Sequence, residues 1–216
     1  MEKIILDLCG GTGSWSKPYT ERGYQVHIIT LPKYDIFDTK LTDGILYFKD
    51  SEGEVLKIPA NKVYGILAAP TCTMFSLARS TAKTPRDLEE GMKLVKKCLD
   101  IIWYCKIAHG SVLKFWALEN PLGLLRWFLG RPLFTFSPDE FGENYTKKTD
   151  IWGYFNIPKK HPYKLNEDER LRSCRNNRVL PELPEGYVVP VGWRRQAARR
   201  SMTSSKFAEA FFRANK

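Results

Sequence analysis

The sequence is poor in histidine and cysteine and has no long apolar run. Its five cysteines are scattered without CxxC spacing, so they signal neither a zinc site nor a disulfide framework. Its three histidines, His27, His109 and His161, stand in no catalytic motif. This argues against a cysteine hydrolase, which needs a histidine beside the thiol. With no membrane-spanning run and no charged-then-apolar leader, we expect a soluble, cytoplasmic protein in a reducing compartment.

Negative charge is also scarce, since 24 acidic residues face 34 lysines and arginines, which gives a formal net charge of +10. A field of this sign favours polyanions such as DNA, RNA or anionic lipid. The plainer alternative is that the excess of positive charge keeps the protein soluble and binds no partner. The 216 residues are 43% hydrophobic and 13% aromatic, which argues against disorder. They suffice for one substantial domain, alone or with a small appendage.

A nucleotide-binding βαβ unit is predicted at the start of the chain. An apolar strand at residues 3–8 leads into a glycine-rich turn, a helix follows at residues 16–22, and a second strand covers residues 24–31. The turn has neither the GxGxxG pattern nor the Lys-Ser/Thr of a P-loop, so we expect it to hold an adenosyl cofactor without a pyrophosphate. A tight strand-to-helix turn is the alternative. Asp35 and Asp38 follow, where they could bind an adenine or ribose or simply be solvated.

Two later apolar strands each end in a group suited to catalysis. The run at residues 63–69 delivers Cys72 just after Pro70, and the run at residues 112–118 delivers Glu119 before Asn120 and Pro121. In open α/β sheets the chemistry lies outside the carboxyl ends of the strands, where a thiol near cations ionises most easily. The alternatives are a small buried hydrophobe for the cysteine and a helix cap for the glutamate.

The remaining patterns predict further elements. We expect a hairpin at residues 45–58, a long helix capped by Thr84 and running to about residue 109, a short helix at residues 123–130, and a strand at residues 133–136. Cys98 and Cys105 should lie in the core. Residues 141–155 show no clear periodicity, and a final helix after Ser204 should bury its aromatics. The predicted division is a core at 1–135, a small basic lobe at 136–200 and a C-terminal helix at 201–216 that packs back on the core.

The order of these motifs resembles that of the DNA cytosine carbon-5 methyltransferases, in the short form common in phages and prophages. Residues 7–13 are similar to the family's cofactor loop, residues 69–76 to its nucleophile loop, and residues 119–121 to its Glu-Asn-Val motif. Residues 34–36 resemble the Asp-Ile element that holds adenine. Residues 147–153 and 200–215 resemble the C-terminal part of the short forms.

The resemblance implies a Rossmann-like class I methyltransferase fold, a mostly parallel sheet flanked by helices with a small basic C-terminal lobe. It implies S-adenosylmethionine as methyl donor, S-adenosylhomocysteine as product and no metal. It implies DNA as partner, with a flipped cytosine, and no membrane, in a bacterial or phage-infected cell. The implied cofactor-binding residues are Asp7, Leu8, Cys9, Gly10, Gly11, Thr12, Gly13, Trp15, Asp35, Ile36 and Pro70. The implied catalytic residues are Cys72, Glu119 and Arg79, and the substrate-binding ones are Ser76, Asn120, Pro121 and Arg200.

The sequence departs from the family pattern in three ways. Thr71 replaces the second proline of the nucleophile loop, Thr73 replaces its glutamine, and residues 30–32 hold no ribose-binding acid. Residues 152–200 are too few for a typical target-recognition domain, which leaves open loose specificity, a separate specificity partner or a substrate other than duplex DNA. A catalytically silent DNA-binding protein remains an alternative. So does the same scaffold acting on a nucleotide, RNA or modified cytosine, or using a modified cofactor.

Overall fold

The computed structural model describes residues 3–77, 79, 82–169, 181–190, 192 and 194–216. It is a mixed α/β structure with a mostly parallel six-stranded sheet flanked by helices, and a separate three-stranded antiparallel sheet. The strands are β1 Ile4–Leu8, β2 Gln25–Ile29, β3 Lys40–Thr42, β4 Ile45–Lys49, β5 Val55–Pro59, β6 Val63–Ala68, β7 Phe115–Pro121, β8 Phe134–Phe136 and β9 Thr149–Tyr154. The helices are α1 Lys17–Thr20, α2 Leu88–Ile107, α3 Arg126–Leu129, α4 Arg195–Ser201 and α5 Ser205–Ala214. Short 3-10 turns occupy Ile36–Asp38, Ala60–Lys62 and Pro138–Phe141.

The large sheet has the strand order β2-β1-β6-β7-β9-β8. Its first four strands run parallel, while β9 is antiparallel to both β7 and β8. Parallel strands are normally covered on both faces and therefore read as continuous apolar runs. Here Leu6 packs into the core on one face, and Ile5 and Leu67 pack into the core on the other. The carboxyl ends of β1, β6 and β7 consequently meet at one edge of the sheet.

Two hydrophobic layers cover the sheet. On one face α2 contributes Val95, Cys98 and Cys105, and the small sheet contributes Leu46 and Phe48, all at most 1% exposed. The other face is covered by α1 and α5 through an aromatic layer: Trp15, Tyr19, Phe207, Phe211 and Phe212. The predicted core positions of Cys98, Cys105 and the α5 aromatics are thus confirmed.

The long helix begins later than the sequence pattern predicted. Its cap is Asp87, whose side chain accepts a hydrogen bond from the Glu90 amide at 2.8 Å. The predicted cap, Thr84, instead accepts a hydrogen bond from Arg79. An aspartate is at least as good a cap as a threonine, and Arg86 ties the preceding segment to the Met74 and Ser76 carbonyls. The expected helix is present, but its predicted start was wrong.

The third site-bearing strand begins and ends three residues later than predicted, at Phe115 and Pro121. Glu119, Asn120 and Pro121 belong to β7 itself, because they pair with Ile151, Asp150 and Thr149 of β9. No local pattern indicated β9, because its residues 149–152 are all buried and show no alternation of polar and apolar side chains. Its position between β7 and β8 makes it part of the large sheet, although it follows the predicted boundary at residue 135, and the domain division itself stays a prediction.

The described part of the chain has no helix long and apolar enough to cross a membrane. Part of the predicted basic lobe, with Cys174 and the arginines at positions 170, 172, 175 and 178, lies outside the described residues.

Candidate active site

One cavity of about 560 Å³ lies at the carboxyl ends of β1, β6 and β7. Its walls come from the glycine-rich turn after β1, the segment after β2, the loop after β6, the end of β7, Lys147 before β9, and the region of α4. The residues singled out from the sequence that line it are Asp7, Cys9, Gly10, Gly11, Thr12, Trp15, Asp35, Ile36, Pro70, Cys72, Glu119, Pro121 and Arg200. The fold therefore brings the two strand-end groups and the glycine-rich turn to a single site.

Five of the residues singled out from the sequence lie outside this lining: Leu8, Gly13, Ser76, Arg79 and Asn120. Asn120 is fully buried and donates a hydrogen bond from Nδ2 to the Pro70 carbonyl at 2.9 Å. It therefore ties the end of β7 to the loop that carries Cys72. Arg79 points elsewhere, since its Nη2 donates to Thr84 and Pro85.

The glycine-rich turn depends on glycine at residues 10, 11 and 13. Gly11 and Gly13 have φ values of +55° and +69°, in the left-handed region that favours glycine, and Cys9 shares this conformation at +56°. A Cβ on Gly10 would lie 2.3 Å from the carboxyl carbon of Asp7, so only glycine fits there. The chain thus passes close over the buried Asp7 and leaves the cavity open above it.

Asp7 is a buried carboxyl with one unsatisfied oxygen. It is fully buried, and Ser16 Oγ donates to its Oδ2 at 2.5 Å. Its Oδ1 and the indole Nε1 of Trp15 are both buried and have no hydrogen-bond partner within the described residues. Burial raises the pKa of Asp7 to about 7, although the Ser16 hydrogen bond opposes the shift. Both groups line the cavity, where a polar ligand could satisfy them.

An Asp7→Asn variant should lose a pH dependence of stability that the wild type has. The folded protein keeps the Asp7 proton up to about pH 7, whereas the unfolded chain releases it near about pH 4. The free energy of unfolding therefore falls as the pH rises from about 4 to about 7, by up to about 4 kcal/mol relative to the variant, and it is constant above pH 7. Urea denaturation of both proteins from pH 4 to pH 8 measures the difference. Asp38→Asn, at an exposed carboxylate, is the matched control and should follow the wild type.

Cys72 lies in a tight turn directly after Pro70. The amides of Phe75 and Ser76 donate to its carbonyl at 3.0 and 2.8 Å, which fixes the backbone, and the residue stays partly exposed. Burial raises the pKa of the Cys72 thiol; the ammonium of Lys147 opposes the shift and the carboxylate of Glu119 adds to it. The resting thiol is therefore protonated, and positive charge beside it favours the thiolate.

Glu119 shares its surroundings with Lys147. The Lys147 ammonium lies 3.8 Å from the Glu119 carboxylate, and both side chains are largely buried, at 22% and 13% exposure. Burial raises the pKa of Glu119, the charge of Asp150 adds to the shift, and Lys147 opposes it. The protonated, hydrogen-bond-donating form of Glu119 thus persists to higher pH than for an ordinary glutamate.

Lys147 is a cavity residue beside Cys72 and Glu119 that the sequence analysis did not single out. It stands in the stretch that resembles the short methyltransferases, but nothing in the local pattern marked it. The antiparallel pairing of β9 with β7 is what brings it beside Glu119. Its charge acts on both Cys72 and Glu119, so it is the electrostatic link between them.

A Lys147→Met variant should make the Cys72 thiol harder to ionise. Since the ammonium lowers the pKa of Cys72, removing it shifts the pH midpoint of Cys72 alkylation by iodoacetamide upward. At neutral pH we expect alkylation to slow by about tenfold. Lys148→Met is the matched control. Lys148 is the next residue along the chain and is exposed to solvent, so its replacement should leave the midpoint unchanged. An unshifted midpoint in Lys147→Met would contradict the assigned electrostatic role.

The segment around α4 closes one side of the cavity. Tyr187, Arg194 and Arg200 line it, and the Thr203 amide donates to Ser14 Oγ at 2.9 Å beside the glycine-rich turn. Burial also raises the pKa of the Tyr187 phenol. Among these residues only Arg200 was singled out from the sequence, because the others lack a local signal and reach the site by long-range packing.

The segment after β2 supplies flat apolar surface. Phe37 is 47% exposed and Leu31 is 51% exposed, although both line the cavity. Asp35 caps the turn by accepting a hydrogen bond from the Phe37 amide at 2.9 Å. An aromatic ring beside a carboxylate at this position suits a purine and its polar edge. An aromatic residue directly after the Asp-Ile pair is the sequence signal that could have identified Phe37.

The described residues contain no group of three or more His, Cys, Asp and Glu side chains that could hold a metal ion. The cavity instead combines a thiol, a carboxylic acid and an ammonium with a side suited to a nucleoside. Such a set serves covalent and acid–base chemistry on an electrophilic ring. A comparison of the chain with protein-family models and with curated proteins finds no match.

Proposed function

We propose that this protein is an S-adenosylmethionine-dependent DNA cytosine carbon-5 methyltransferase with a Rossmann-like class I fold. The observation that carries the proposal is the shared cavity in which Cys72, Glu119 and Lys147 face the glycine-rich turn. The motif resemblance supports it, and the mostly parallel sheet with its site at the carboxyl edge is compatible with it. The net charge of +10 suits a phosphate-backbone partner.

The cavity residues fit the proposed cofactor. Within the described residues, Oδ1 of Asp7 and Nε1 of Trp15 have no hydrogen-bond partner, and a ligand with polar groups would supply one. The glycines would let that ligand approach the backbone. Phe37 and Asp35 would hold the adenine and sugar end. When bound, S-adenosylmethionine supplies an electrophilic methyl group and leaves as S-adenosylhomocysteine.

Cys72 and Glu119 divide the remaining chemistry. The Cys72 thiol gives its proton to solvent and its sulfur forms a bond to carbon 6 of cytosine, while Glu119 passes its proton to ring nitrogen 3. The electrons displaced from the carbon 5–carbon 6 bond make carbon 5 the nucleophile. After transfer, a solvent base removes the carbon 5 proton, the sulfur–carbon 6 bond breaks, and Glu119 takes back the nitrogen 3 proton.

The electrostatics favour a reaction that begins only with substrate in place. Burial keeps the Cys72 thiol protonated at rest and helps Glu119 hold the proton that it must donate. The ammonium of Lys147 stabilises the thiolate as it forms. The target base must leave the stack to present its ring face to the thiol, so base flipping or an unpaired substrate is part of the proposal.

The first test is transfer of labelled methyl from S-adenosylmethionine to cytosine-containing DNA. Label on carbon 5 would establish the activity. If no label is transferred and calorimetry detects no cofactor binding, the proposal fails and a silent DNA-binding protein explains the fold better. If cofactor binds without transfer to DNA, the same assay with RNA, nucleotides and modified cytosine separates the other substrates of this scaffold.

A further inference from the structure

An exposed apolar surface lies next to the nucleophile loop. We call it the α3 surface and define it by Trp127 and Phe128 of α3, which are 84% and 47% exposed. Leu77 and Leu133, at 55% and 50% exposure, follow soon after Phe75 and after the end of α3 along the chain. Soluble proteins seldom leave several large apolar side chains exposed together, so such a patch marks a binding surface.

The α3 surface has a fixed relation to Cys72. The Phe128 ring packs edge-on against Phe75, with centroids 6.0 Å apart, and the Phe75 amide donates to the Cys72 carbonyl at 3.0 Å. The Phe75 carbonyl in turn accepts a hydrogen bond from the Leu124 amide at 2.9 Å. Phe128 is therefore packed directly against the loop that carries Cys72, and Trp127 is its neighbour on α3.

Cationic side chains lie on α3 and close to it. Arg126 of α3 is held by the buried Asp150 through two hydrogen bonds of 2.6 Å, and its side chain remains 40% exposed. Arg131 follows α3 and is exposed, and so is Lys148, whose carbonyl accepts a hydrogen bond from the Leu122 amide. Aromatic rings interleaved with cations form the surface on which single-stranded nucleic acids bind, since bases stack on the rings and phosphates meet the charges.

We propose that the α3 surface stacks unpaired bases next to the target cytosine, so that the site prefers single-stranded DNA over duplex DNA. The inference rests on the proposed function, because it names the form of the DNA substrate. In a duplex the base faces are already stacked on one another and cannot meet Trp127 or Phe128. An unpaired strand offers those faces without the cost of opening a duplex.

The test compares Trp127→Ala with Trp103→Ala by fluorescence anisotropy of a labelled cytosine-containing oligonucleotide, single-stranded and duplex. Trp103 is a matched control because it is 64% exposed but lies on the C-terminal half of α2. The wild type should bind the single strand more tightly than the duplex. Trp127→Ala should weaken single-strand binding by about tenfold, while Trp103→Ala leaves it unchanged. Circular dichroism checks that both variants fold.

Equal single-strand affinity in both variants, or tighter binding of the duplex by the wild type, overturns the inference. Concentration-dependent dimerisation that Trp127→Ala abolishes, with oligonucleotide binding unchanged, would show that a second copy of the chain occupies the surface, and also overturns it. Methyl transfer separates this result from the proposed function. If Trp127→Ala transfers methyl groups as fast as the wild type, the proposed function is retained and the inference fails. If binding depends on Trp127 but no methyl group is transferred, only the proposed function is contradicted.

Discussion

A Cys72→Ser variant should form no covalent complex with 5-fluorocytosine DNA and should lose methyl transfer by about 10³-fold or more. The wild type should be trapped on that DNA in the presence of S-adenosylmethionine, because fluorine at carbon 5 cannot leave as a proton and the thiol cannot be released. A serine hydroxyl ionises far less readily than a thiol, and the burial that already opposes ionisation at this position would oppose it further. Denaturing gel electrophoresis of the labelled complex measures the adduct.

Two controls make the Cys72 result specific. Cofactor binding, measured by calorimetry, should be unchanged in Cys72→Ser, since the substitution removes one sulfur and leaves the glycine-rich turn intact. Thr73→Ala, at the next cavity-lining position, should still form the adduct. Persistence of the adduct in Cys72→Ser would show that another residue is the nucleophile and would refute the assigned mechanism.

The strands that position the candidate site could be predicted from the sequence, because the pattern that indicates a buried strand is local. The runs before Asp7 and Cys72 are continuous and apolar, as expected for strands covered on both faces, and each ends at a glycine or proline. Once such strands are placed parallel, their carboxyl ends share an edge. The meeting of the glycine-rich turn, Cys72 and Glu119 in one cavity therefore follows from local patterns and one topological rule.

The parts that the sequence did not predict depend on long-range pairing. Lys147 reaches Glu119 only because β9 pairs antiparallel with β7, and β9 shows no alternation by which to recognise it. The same pairing carries β7 through Pro121, three residues beyond the predicted end of the strand at residue 118. Tyr187 and Arg194 line the cavity by tertiary packing, which no local pattern encodes. The electrostatics of the candidate site thus depend on the tertiary structure more than on the motifs.

A Glu119→Gln variant should lower kcat for methyl transfer by about 10²- to 10⁴-fold while leaving cofactor affinity unchanged. A glutamine amide can hydrogen-bond to ring nitrogen 3 but cannot transfer a proton to it. The pH profile should change as well. In the wild type the rate needs an ionised Cys72 and a protonated Glu119, so it should fall at alkaline pH once the thiol has ionised, and the raised pKa of Glu119 increases the fraction of enzyme that still holds the proton. The variant should instead keep rising with pH until the thiol has ionised.

Glu119→Asp provides the matched comparison, because it keeps an acid at this position on a shorter side chain. It should recover part of the lost kcat and restore the alkaline fall, neither of which a merely structural role for the carboxylate would produce. Steady-state transfer from about pH 6 to pH 10 distinguishes the two variants. If both lose activity equally and share one pH profile, Glu119 acts through the geometry of β7 alone, and the proton on ring nitrogen 3 must come from another group. If the glutamine variant alone loses the alkaline fall, the proton that limits the wild-type rate at high pH is carried by Glu119.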